Sequence, residues 1–205
     1  MIGRRALLRA AAGSLVIGTA LHQTAWAEAS PTATVSAFYD VLLKVMKDAQ
    51  KLGFDGRYKL LDPAVRKAFN LELMTRLAIG APWQNIPEPQ QKAIAEAFSQ
   101  YSVSTYANRF DGYGGEKFNV EEATTQSAGG TVVKTQLIQG DGKPIALDYL
   151  MRQTDGDWKI IDVFLSGTVS ELATRRSEFS SVLRQDGGEG LLKLLQQRVD
   201  ALKHA

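Results

Sequence analysis

Asp148, Tyr149 and Asp162 are the residues whose types suit proton transfer, two carboxylates and a phenol in neighbouring segments. A carboxylate working with a tyrosine could act as acid and base on a bound substrate. No paired-carboxylate geometry follows from their spacing, and carboxylates are usually solvated or ion-paired. Arg176 poses a different question. In ELATRRSEFSSVL, Leu172, Phe179 and Leu183 form one helical stripe, flanked by Val169 and Ala173, and Arg176 falls in its middle. A charge there needs a partner. As a structural residue Arg176 would turn inward to a carboxylate, with Asp162 the expected partner because it shares a strand face with Trp158, Ile160 and Phe164. As a ligand residue it would hold a phosphate bidentately at a pocket mouth. Both roles stay open.

Most other chemistry lacks its residues. The chain has no cysteine, and its histidines are His22 and His204. Disulfides and thiolate chemistry are therefore excluded, and so are histidine-based nucleophilic triads and His-ligated metal sites. No nucleophile elbow, phosphate loop, dinucleotide fingerprint or acidic calcium loop occurs; DGYGGEK at 111–117 reads as a helix stop and a turn. No cofactor or metal is expected.

The start of the chain reads as an export signal over residues 1–27. Arg4, Arg5 and Arg9 precede a small, apolar stretch too short to span a bilayer, and Ala25-Trp26-Ala27 is a cleavage signal. Arg4-Arg5 suits the twin-arginine route. Cleavage would leave Glu28 first in a periplasmic, soluble chain. It would also lower Lys+Arg from 24 to 21 against 22 acidic residues, turning a formal charge of +2 into −1. That balance recruits no nucleic acid.

The rest, residues 28–205, reads as one α+β domain with a helical N-terminal half. Val35, Phe38, Leu42, Val45 and Met46 recur at helical spacing over 31–48. Short helices follow at about 55–61, 63–69 and 71–79, separated by glycine and Pro63. A long helix covers about 88–110. Alternation then predicts strands at 117–126, 131–139, 144–153 and 157–166, with Asp-Gly turns marking an antiparallel four-stranded meander. Two helices, 168–186 and about 189–203, flank Gly187-Gly188.

Three stretches carry a resemblance: LMTRLAIGAPW with QQKAIAEAFSQYSVSTYANRF, then YGGEKFNV, then YLMRQTDGDWKIIDVFLSGTVSELATRRSEFSSVL. In order and over nearly the whole mature chain, they resemble the toluene-tolerance/MlaC family of periplasmic lipid-binding proteins. RFDGYGGEKF, DGKPIALDYLMRQ and SELATRRSEFSSVLRQDG are similar to its hopanoid-biosynthesis-associated branch. The wider family more often has a tyrosine before the arginine at 176, where this chain has Arg175. The resemblance implies a strongly twisted antiparallel sheet covered by helices, related to NTF2-like folds, with a cavity for lipid. It implies a non-enzymatic carrier of phospholipid or hopanoid, working between an inner-membrane MCE-type transporter and an outer-membrane complex. The alternatives are an NTF2-like enzyme using the carboxylates and tyrosine above, or an adaptor that carries no lipid.

A lipid with about thirty methylenes costs roughly 24 kcal/mol to expose to water, so a carrier must enclose the tails. The expected lining is Met74, Leu77, Trp83, Phe98 and Tyr101 from helices, with Leu147, Tyr149, Met151, Ile160 and Phe164 from strands. Each of these could equally be ordinary core.

Overall fold

The structure is a computed structural model that describes residues 30–205. The export signal expected over residues 1–27, with its cleavage site, lies outside the described residues.

Ser30 begins the first helix by accepting a hydrogen bond from the Ala33 amide at 3.0 Å, ahead of Pro31, which suits the first turn. Helix α1 (Pro31–Lys47) buries Val35, Phe38, Leu42 and Val45, one stripe at helical spacing. Helix α2 (Ala49–Ala68) is broken at Gly53, whose φ of 58° and ψ of −176° suit glycine alone. The expected break at Pro63 does not occur. Pro63 and Lys59 are both on the exposed face, so water can replace the hydrogen bond that proline removes. Arg57 ties α2 to α4 by donating to the Ala107 carbonyl at 2.7 Å, and braces the kink by donating to the Ala49 carbonyl at the start of its own helix at 3.2 Å. Helix α3 (Leu71–Ile79) starts on Asn70, whose side chain caps the Leu73 amide, and ends at Gly80. A 3-10 turn (Ala81–Asn85) leads to α4 (Glu88–Arg109).

The sheet follows. Strands β1 (Lys117–Ser127), β2 (Gly130–Ile138), β3 (Pro144–Thr154) and β4 (Asp157–Leu165) form the expected antiparallel meander. The sheet has five strands, however. Val169–Ser170 forms β5, which pairs with Leu165 and Phe164 of β4. Two residues are too few to show alternation, which is why the pattern read as the start of a helix. The last helix, α5 (Glu171–Lys203), therefore starts at 171, and it breaks in the middle at Gly187 (φ 63°, ψ −161°) into the two segments anticipated.

One irregularity decides what the sheet presents to the helices. Leu150 pairs with Asp162 and Met151 with Ile160, leaving Ile161 as an extra residue on β4. Such a bulge inverts the alternation beyond it. Ile160 pairs with inward Met151, and beyond the bulge Val163 and Leu165 pair with inward Tyr149 and Leu147. Helix α1 packs on the first strands, with Tyr39 stacked on Phe118 (4.2 Å) and its hydroxyl bonded to Thr135 at 2.6 Å. Helix α4 lies against α5, where Phe98 meets Phe179 edge-on. No helix among the described residues is long and apolar enough to cross a membrane.

Candidate functional site: an apolar cavity with a charged mouth

Between sheet and helices lies a cavity of about 110 Å³. Its floor is Leu147 and Tyr149 of β3 with Val163 and Leu165 of β4. Phe69 and the first turns of α3 (Leu71, Met74) form one wall, and Phe98, Tyr101 and Tyr106 of α4 form another. Leu172 and Arg175, from the start of α5, complete it. Burial raises the phenol pKa values of Tyr106 and Tyr149, and pushes that of neighbouring Tyr39 up to about 12. These groups stay neutral at physiological pH.

Five of the ten expected lining residues reach this cavity: Met74, Phe98, Tyr101, Leu147 and Tyr149. Met151 and Ile160 are fully buried core instead. Phe164 is displaced by the bulge, which hands its place to Val163 and Leu165. Leu77 is exposed, because α3 buries the opposite face through Leu71, Met74, Thr75 and Ala78. Trp83 lines an adjoining groove that shares Phe69 and Leu71 with the cavity and also holds Asn70, Gln91 and Lys159, and its carbonyl accepts a hydrogen bond from Gln91 at 2.8 Å.

The expected pair of Arg176 with Asp162 is absent. Asp162 is buried, but its oxygens are filled from elsewhere: one accepts from the Val163 and Leu172 amides at 2.8 and 3.0 Å, the other from the Ser170 hydroxyl at 2.5 Å. Ser170 in turn caps α5 through the Ala173 amide. The carboxylate therefore fixes the turn from β4 into α5. Arg176 is exposed, and its guanidinium lies over Gly80, the cap of α3, where a methyl would stand 3.0 Å from Nη2. A cation is favoured at that helix end.

Arg175 is the arginine that turns inward. Its side chain is only 15 % exposed, and its guanidinium sits 4.6 Å from the centre of the Tyr101 ring, a cation–π contact at the cavity wall. Glu171 Oε2 lies 3.4 Å from Arg175 Nη2, and Glu171 Oε1 lies 3.8 Å from Arg109 Nη1. Arg109, Glu171 and Arg175 all line the same cavity. Val182 was the missing signal in the sequence. With Leu172, Arg175 and Phe179 it makes the half-buried stripe, whereas Val169 is in a strand and Ala173 is exposed.

This architecture has known relatives. A phospholipid-binding protein from Ralstonia solanacearum, solved in complex with a phospholipid, is 24 % identical and superposes with a TM-score of 0.74, covering 85 % of this chain and 99 % of that one. That likeness is one of fold. No curated protein matches the chain. Residues 36–197 match the sequence model of the MlaC protein family, in the segments that build the sheet, the helices and the cavity between them, and the chain belongs to that family.

Proposed function

We propose that this protein is a non-enzymatic lipid carrier of the periplasm, which takes the apolar part of a lipid into the cavity between sheet and helices. The observation that carries this reading is the uncharged lining of Phe69, Met74, Phe98, Leu147, Tyr149 and Val163 behind a charged mouth. Apolar walls with a few polar groups at one end suit a molecule of the same division. Membership of the MlaC family and the fold shared with a phospholipid-binding protein support the same reading. The cargo would be an acyl-chain or polycyclic lipid, phospholipid or hopanoid, passed between an inner-membrane MCE-type transporter and an outer-membrane complex.

The cavity's 110 Å³ lies below the ~300–1,000 Å³ of pockets for drug-sized ligands. A two-tailed lipid therefore needs more room than the cavity holds in this structure. Acid–base catalysis finds less support. Asp162 is committed to three donors, and Asp148 and Tyr149 are consecutive on β3, so their side chains leave opposite faces.

Mass spectrometry of material extracted from the protein, purified from the periplasm of cells making the full chain, tests the proposal. One lipid per protein at high occupancy is expected. Protein recovered from that compartment without lipid, and unable to acquire it from vesicles, would overturn it.

A further inference from the structure

The mouth of the cavity carries more positive charge than its carboxylate neutralises. Two guanidiniums, Arg109 and Arg175, share Glu171, at 3.8 and 3.4 Å. Glu178 also approaches Arg175, at 3.5 Å, but Arg198 holds its other oxygen at 2.7 Å. Charge-assisted hydrogen bonds usually close to about 2.7–2.9 Å, so Glu171 holds both arginines loosely. Between them the group bears two positive charges and one negative, a surplus that matches a phosphodiester. Arg175 is also pre-oriented by the Tyr101 ring, which itself lines the cavity, so a group held there would have its tails directed at the apolar walls.

We infer that Arg109 and Arg175 form a clamp for the phosphate of a phospholipid, and that Glu171 is the stand-in the phosphate displaces. This rests on the lipid-carrier reading and adds a selectivity to it. Glu171 can yield its place, because as the first residue of α5 it remains at a helix N-terminus, where a carboxylate is favoured. A phosphate presents several acceptors to the planar fork of an arginine. Lipids without phosphate, neutral polycyclic alcohols among them, would fill the cavity but leave the clamp on Glu171.

The test offers delipidated protein equal amounts of phosphatidylglycerol and of diacylglycerol with the same acyl chains, in alkyl-maltoside micelles, with native mass spectrometry reading the bound ratio. An excess of phosphatidylglycerol of about tenfold is expected, the scale of one charged hydrogen bond. The pair Arg109→Gln with Arg175→Gln should bring the ratio close to one, and Glu171→Gln should raise it. If the double variant does not fold, Arg109→Gln alone carries the test, since that side chain is 52 % exposed. It should lower the ratio, and an unchanged ratio overturns the clamp. Equal loading by the unaltered protein also overturns the clamp while leaving the carrier reading intact. Failure to load either lipid overturns the carrier reading itself. Free inorganic phosphate should not displace bound phosphatidylglycerol; displacement would make this a phosphate site and overturn the assignment to lipid.

Discussion

Arg175 and Arg176 are neighbours, and a modest roll of one helix decides which faces the cavity and which the solvent. The sequence pattern favoured Arg176 because Val169 and Ala173 were weighed with the stripe; Val169 pairs in β5 and Ala173 is exposed. The pairing expected for Asp162 failed for a related reason. A buried carboxylate needs donors, but backbone amides and a hydroxyl serve as well as a cation, and periodicity is blind to backbone. The two residues should therefore respond differently to mutation. Asp162→Leu leaves the amides of Val163 and Leu172 unpaired and should lower stability by about 3 kcal/mol. Arg176→Met should change it by less than about 0.5 kcal/mol, as exposed substitutions generally do. Urea unfolding of both variants and of the double variant checks this. No rescue of Asp162→Leu by Arg176→Met is expected, because the two side chains form no hydrogen bond or ion pair.

Elements were legible where local chemistry sets them and obscure where partners do. The meander was visible because alternation and Asp-Gly turns are written in adjacent residues. The bulge at Ile161 was not, since the run from Ile160 to Leu165 is apolar on both faces apart from Asp162. Strand β5 was hidden by its length, and the continuity of α2 through Pro63 by water's ability to replace a hydrogen bond on its exposed face. In the cavity lining, Met74, Phe98, Tyr101, Leu147 and Tyr149 were anticipated, whereas the last turns of α4, the residues beyond the bulge and the start of α5 were missed. The kink in α5 was readable from Gly187, and it makes a clean test. A methyl at 187 would meet nothing within 4 Å, yet φ of 63° with ψ of −161° is a conformation only glycine adopts readily. Gly187→Ala should thus cost about 1–3 kcal/mol from backbone strain alone, seen as a lower urea midpoint with unchanged slope. A fully stable variant would mean that α5 can straighten.

At the scale of the molecule, a carrier differs from an ordinary small domain in leaving part of its apolar interior unfilled. Leu147 lies at the floor of that space. Leu147→Trp should reduce bound lipid severalfold while the protein stays folded, because the added ring occupies the cavity rather than packed core. Overpacking a filled core would instead cost about 1–3 kcal/mol. Thermal melts and native mass spectra of one sample separate the two outcomes. The cavity also has a consequence in time. Its walls come from residues 69–74, 98–110, 147–165 and 171–175, so the cavity is incomplete until the start of α5 has left the ribosome. Until then the faces of α4 and β4 that α5 packs against have no cover, and such surfaces invite aggregation in an incomplete chain. Biosynthesis thus passes through a stage in which this protein has an open apolar trough in place of an enclosed cavity, and its dependence on a chaperone should peak there and fall as α5 docks.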